Sequence, residues 1–191
     1  AYGEYINAFD EMNERGLKFA KYSTRVLNSN EIPLKLPIYF LDVDDLAILL
    51  QVRSGDQIPV LAKTLKLVKI FKSERPEMKK YKNDIIAKCL MDILTSGKNS
   101  SSIRDQIVAV LSHYNTDTLN LDAIISQPGY NRTLRQCLRI DDQGKISAIL
   151  EIGEFLQQFE NVNIEDVSVF DDSTYTLDDL YSALEFALIS E

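Results

Sequence analysis

A Gly-Lys pair among hydroxyl-bearing residues is a signature of phosphate binding, and Ser96-Gly97-Lys98-Asn99-Ser100 comes close to it. The full motif needs a glycine five residues ahead of the Gly-Lys pair, so that backbone N–H groups can wrap the phosphates. It also needs a hydroxyl directly after the lysine for Mg²⁺. Here Asp92 holds the upstream position inside a helical run and Asn99 follows Lys98. The segment therefore reads as a helix stop joined to the cap of the next helix. His113 is the only histidine, at the end of an apolar run beside Tyr114. One histidine builds no His-rich metal site, and neither Cys89 nor Cys137 is near it in sequence. A histidine at a helix C-terminus reads instead as a dipole partner or a packed ring. With no Gly-x-Ser-x-Gly and no Cys-His signature, nucleophilic catalysis has no residues to carry it.

Carboxylates are the next candidates: Asp42, Asp44 and Asp45, then the pairs Asp141-Asp142, Asp171-Asp172 and Asp178-Asp179. They lack the regular ligand spacing and the glycine of a calcium loop. They suit helix N-termini and turns, where a short acidic side chain accepts from backbone N–H groups. No metal ligand set and no cofactor site is expected within this chain.

The net charge is −8, which counts against a nucleic-acid-binding role for the chain as a whole. The average conceals two ends of opposite sign. Nine of the 21 basic residues fall between Lys63 and Lys88, while after Arg139 only Lys145 is basic. Lys63, Lys66, Lys69, Lys72, Lys79 and Lys80 form the candidate nucleic-acid or partner-binding set, interleaved with Leu65, Leu67, Val68, Ile70 and Phe71. Such a run is ordinarily a solvated face beside a buried stripe. The functional alternative is contact with DNA phosphates or an acidic partner.

These residues must be positioned by helices. Asp42, with Asp45 three residues on, caps a helix in VDDLAILLQV. A second runs through DQIPVLAKTLKLVKIFKS with Ile58, Leu61, Leu65 and Val68 on one stripe, its Pro59 tolerable in the first turn. Pro76 opens a third, which Gly97 stops, and Ser102 with Asp105 caps a fourth that ends at His113-Tyr114. Two more follow: KISAILEIGEFLQQFE, and LDDLYSALEFALISE, which is capped by Thr176 with Asp179 and carries Leu177, Leu180, Leu184 and Leu188. Strand signals are short and weak, in LKFAKYSTRVL, IPLKLPIYFL and TLRQCLRI. The expectation is a mainly α helical bundle with at most short edge strands. No apolar stretch approaches the roughly 20 residues that cross a bilayer, and two unpaired cysteines suit a reducing cytoplasm.

One stretch resembles a known family. Tyr2-Gly3-Glu4-Tyr5 looks like the end of the Asp-x-His-Gly-Glu-Tyr phrase of the HerA-like branch of the FtsK/HerA ATPases, with Tyr2 where histidine is common. Leu36-Pro37-Ile38-Tyr39-Phe40-Leu41 and the Asp44 to Leu46 helix start resemble that family's entry into a helical insertion. Thr176 to Leu180 and Ala183-Leu184-Glu185 resemble its exit. The resemblance implies that residues 1–30 are a remnant of an α/β ATPase core, 31–160 the helical insertion, and 161–191 the connection and exit helix. It implies a parent that couples ATP hydrolysis to movement along double-stranded DNA as a homo-oligomeric ring, the phosphate loop and Mg²⁺ site lying outside this chain. The chain alone would then be no enzyme. Glu4 would be the one catalytic residue, orienting or polarising the attacking water in the parent; its other reading is a solvated carboxylate near a helix start.

On that reading the chain serves intersubunit contacts, or contacts to a partner protein such as a nuclease. The basic Lys63–Lys88 run and the acidic C-terminal segment would meet head-to-tail across the ring. The alternative is a stand-alone helical adaptor without catalytic activity.

Overall fold

A computed structural model describes residues 20–26, 29, 31–127, 129–159, 162–170 and 172–189. Glu4 and the rest of Tyr2-Gly3-Glu4-Tyr5 lie outside the described residues. The chain divides into two compact units, Ala1–Pro37 and Ile38–Glu191. In the first, β1 (Lys21–Ser23) pairs in parallel with β2 (Glu31–Pro33), Tyr22 opposite Ile32.

The second unit is the helical bundle. A 3₁₀ turn (Ile38–Phe40) leads into α1 (Val43–Leu49), followed by α2 (Gln57–Lys72), α3 (Pro76–Thr95) and α4 (Ser100–His113). A hairpin of β3 (Ile124–Gln127) and β4 (Tyr130–Thr133) then runs into the short α5 (Leu134–Cys137). After α6 (Ile149–Leu156) and a second 3₁₀ turn (Ile164–Asp166), α7 (Leu177–Ile189) closes the described chain. The architecture is mainly helical, with two short strand pairs among the described residues.

Local chemistry sets the helix ends. Asp42 Oδ1 accepts from Asp45 N–H at 2.9 Å while Asp45 Oδ2 accepts from Asp42 N–H at 3.3 Å, a reciprocal capping box. Thr176 and Asp179 do the same for α7: Thr176 N–H donates to Asp179 Oδ2 at 2.9 Å and Asp179 N–H donates to Thr176 Oγ1 at 3.2 Å. Pro76 stands at the start of α3, where its missing N–H costs nothing. Gly97 takes φ 71°, the left-handed conformation that stops α3.

The fourth helix begins earlier than its sequence suggested. Asn99, not Ser102, is the N-cap of α4, its Oδ1 accepting from Ser102 N–H at 2.8 Å. An amide oxygen satisfies that orphan donor as well as a hydroxyl does. The sixth helix is shorter than expected. Ile146 is held in an antiparallel bridge to Ile140 across the Asp141–Gly144 turn. Asp141 Oδ1 accepts from Gln143 N–H and Lys145 N–H, both at 2.9 Å, and this fixes the turn.

The core is one cluster running through α1 to α7. Buried positions on α2 (Leu61, Leu65 and Val68, joined by Thr64, Leu67 and Ile70) occupy two sides of the helix, since α1, α3 and α7 all pack on it. Ile58, expected on that stripe, is exposed. At the centre, Phe186 meets Phe71 edge-on at 5.4 Å and Tyr114 at 4.9 Å. Tilted and edge-to-face rings of this kind add about 0.5–1.5 kcal/mol per pair beyond area burial.

Candidate interaction surfaces

The lysines of α2 lie along the side of the helix that receives the C-terminal segment. Lys66 Nζ donates to the Glu165 carbonyl at 2.7 Å and Lys63 Nζ to the Ala187 carbonyl at 3.4 Å. Lys72 Nζ pairs with Asp179 Oδ1 at 2.9 Å. The Lys69 carbonyl accepts from Ser173 Oγ at 3.0 Å. One turn on, Arg75 grips Asp172 Oδ2 through Nε at 2.8 Å and Nη2 at 2.6 Å, with its guanidinium 3.7 Å over the Phe170 ring. The basic run and the acidic C-terminal segment therefore meet, but within one chain. Lys63 in particular donates to a carbonyl near the C-terminal end of α7, where a cation is favoured. Lys79 and Lys80 lie apart from this set, exposed on α3.

Beyond Lys72 lies a cleft of about 240 Å³ lined by Lys72, Lys82, His113, Asn115, Asp179 and Ser182. Lys72 and Lys82 reach the end of α2 there, and His113 stands at the end of α4. Lys82 Nζ donates at 2.7 Å to the carbonyl of Ser73, the residue that caps the C-terminus of α2. Burial, then the charge of Lys79, holds the Lys82 ammonium below its usual range, against a smaller upward pull from Glu74. Tyr114 also lines this cleft, its phenol pushed up chiefly by burial, with Ser182 partly opposing and Glu185 and Asp179 adding to the rise. These cations close helix ends and are used structurally. His113 is exposed at the last position of α4, so of the two readings offered by the sequence it is not a packed ring.

The Ser96–Ser100 segment acts as a helix stop and cap, and the side chain of Lys98 donates to Gln106 Oε1 at 3.2 Å. Among the described residues no group of three or more His, Cys, Asp or Glu side chains could hold a metal ion. Of the acidic residues, Asp42 and Asp179 belong to capping boxes, Asp141 fixes a turn and Asp172 pairs with Arg75, while Asp171 lies outside the described residues. Cys89 and Cys137 are buried and unbridged, and burial followed by the charge of Asp92 pushes the Cys89 thiol up to about 12.

The surface also carries apolar patches. In the entry segment Phe40, Ile48, Leu49 and Leu50 are all more than half exposed, Ile48 reaching 78%. On α7 the sequence led to an apolar stripe of Leu177, Leu180, Leu184 and Leu188. The structure instead buries Leu180, Ala183, Phe186 and Ala187 and leaves Leu177 and Leu188 facing out. The mixed stripe failed because α7 has two apolar faces, and small residues at 183 and 187 let that side approach α2 most closely.

Two features had a sequence signal that the reading missed. Pro128-Gly129 between Ser126-Gln127 and Tyr130-Asn131 is a turn dipeptide, and it marks the β3–β4 hairpin, with Gly129 at φ 96°. Thr133 with Gln136 is a capping box within TLRQCLRI, which is why that stretch turns helical at Leu134. Comparison with known proteins finds no matching family model, curated protein or solved structure. Among the described residues no helix is long and apolar enough to cross a membrane.

Proposed function

We propose that the chain is the helical insertion domain of a HerA-like, ATP-driven double-stranded DNA translocase, serving contacts to a partner. The observation that supports it most is where the bundle opens and closes. Tyr39, at the entry, and Tyr175, directly before α7, meet edge-on with ring centroids 6.3 Å apart. The segments that resemble the family's entry and exit therefore adjoin at the base of α7, and neighbouring entry and exit points are what an inserted domain needs. On this reading ATP and Mg²⁺ are bound by the parent core, and the work of this domain is recognition. Apolar outer faces, more than lysines already engaged within the chain, are the means.

The test is the coding sequence upstream of Ala1. A Gly-x-x-x-x-Gly-Lys-Ser/Thr motif within a few tens of codons is expected; a start codon there with no such motif overturns the HerA-like context. In an intact parent, replacing residues 38–189 by a short linker, which removes the whole bundle including α7, is expected to retain ATP hydrolysis and abolish partner binding.

A further inference from the structure

The outer face of α7 carries Leu177, Tyr181, Leu184 and Leu188, the 4-3-4 spacing of a coiled-coil seam. Leu177, Tyr181 and Leu188 are 63%, 61% and 57% exposed, although they belong to a helix that already buries a full apolar face against α2. Toward its C-terminal end the stripe borders a cleft of about 410 Å³ between α4 and α7, walled by Ala109, Val110, Leu188 and Ile189, with His113 and Glu185 also lining it. Such a cleft can receive a bulky side chain from a helix lying along the stripe. On the solvent side the stripe is edged by Asp178 and Glu185. No lysine or arginine occurs in α7, and Lys72 and Lys63 reach it on the inner side, at Asp179 and the Ala187 carbonyl.

We propose that this stripe and cleft are the docking surface for a basic amphipathic helix of a partner protein. Leucine-type residues of that helix would lie along Leu177, Tyr181 and Leu188, and its lysines or arginines would flank Asp178 and Glu185. Charge selects this occupant over a second copy of the chain. An antiparallel pair of α7 helices sets Asp178 against Glu185 of the other copy, and a parallel pair sets each carboxylate against itself; both carry the repulsion that a lysine-bearing helix converts to attraction. The inference rests on the chain being a partner-contact domain and is independent of the HerA-like context.

The test uses the full chain and three fluorescein-labelled peptides of about five helical turns. One has leucines at 4-3-4 spacing flanked by lysines, the second has the same composition shuffled, and the third has the lysines replaced by glutamate. Fluorescence anisotropy at physiological ionic strength is expected to show binding of the first, with the other two at least tenfold weaker. Leu188→Asp and Tyr181→Asp should each weaken the first peptide at least tenfold, and Glu185→Lys severalfold. Leu188→Ser serves as the milder variant, and an unchanged urea midpoint certifies that each variant is folded.

Equal binding of the patterned and shuffled peptides overturns the proposal, as does binding indifferent to Tyr181→Asp and Leu188→Ser. Dimerisation by sedimentation that Leu188→Asp abolishes also overturns it, by assigning the surface to a second copy. Loss of peptide binding in a chain whose parent carries the phosphate loop refutes this inference alone. A missing phosphate loop with peptide binding intact refutes only the family context.

Discussion

Asp179 does two jobs that can be separated by measurement. Its Oδ2 closes the α7 capping box with Thr176, and its Oδ1 pairs with Lys72 at 2.9 Å. The ion pair is partly exposed, with 41% of the Lys72 side chain and 27% of the Asp179 side chain accessible, so its contribution belongs to the screened class of about 0.2–1 kcal/mol. Asp179→Ala leaves Thr176 Oγ1 capping the backbone N–H of residue 179 and removes the return bonds from Thr176 N–H and Oγ1 to the carboxylate, together worth about 0.5–2 kcal/mol.

Lys72→Met should therefore destabilise by at most about 1 kcal/mol, and Asp179→Ala by about 1–3 kcal/mol. For a unit of this size that is roughly 2–4 °C and 2–12 °C in Tm. The double variant should be less destabilised than the sum, by the ion-pair term alone, about 0.2–1 kcal/mol. In 1 M NaCl this coupling should shrink toward zero while the capping cost persists.

The pH dependence has a fixed sign. Burial raises the Asp179 carboxyl, but hydrogen bonds from Lys72 and Thr176 and the Lys72 charge outweigh it and hold the carboxyl below its usual value. The stabilisation is therefore complete above the unfolded carboxylate range, near pH 4, and is lost as pH falls through the depressed folded value. Urea denaturation of the four proteins of the cycle, at two salt concentrations and at neutral and acid pH, reads all of this. An Asp179→Ala cost no larger than that of Lys72→Met, or a coupling unaffected by salt, refutes the division of labour.

Phe186→Ala removes the ring at the centre of the Phe71–Tyr114–Phe186 cluster and should cost about 3–5 kcal/mol, a drop of roughly 2 M in the urea midpoint. Cys89, with its thiol held near 12 by burial, should resist iodoacetamide at pH 8 in the folded protein and react at the rate of unfolding, giving rapid modification once urea is added. Arg75→Lys keeps the charge but loses the two-pronged grip on Asp172 and the stacking over Phe170. It should cost about 1 kcal/mol and speed amide exchange locally, in residues 170–175, leaving α3 and α4 unchanged.

Much of the architecture was legible in the chain because it is decided over three or four residues. Asp42 with Asp45, Thr176 with Asp179, Pro76 and Gly97 each satisfy, or do without, backbone groups within one turn, and each stands where the local pattern placed it. Where two local devices compete, the local pattern is insufficient: Asn99 displaced Ser102 as a cap, and the Asp141 turn shortened α6. The lysine run was visible as a run, but its use was not. Spacing places Lys63, Lys66 and Lys72 on α2, whereas their partners at Ala187, Glu165 and Asp179 lie about a hundred residues away.

Most helix starts and stops follow from side chains acting on their own backbone, and for Asp42, Pro76, Gly97 and Thr176 the amino-acid sequence alone is enough. Which of the two apolar faces of α7 enters the core is settled only when α2 is beside it. There Ala183 and Ala187 permit close approach, and Phe186 finds the Phe71 and Tyr114 rings. That choice leaves Leu177, Tyr181 and Leu188 on the surface. Burial is a property of the pair of surfaces and not of either sequence segment, so the face left for a partner is fixed by the tertiary structure.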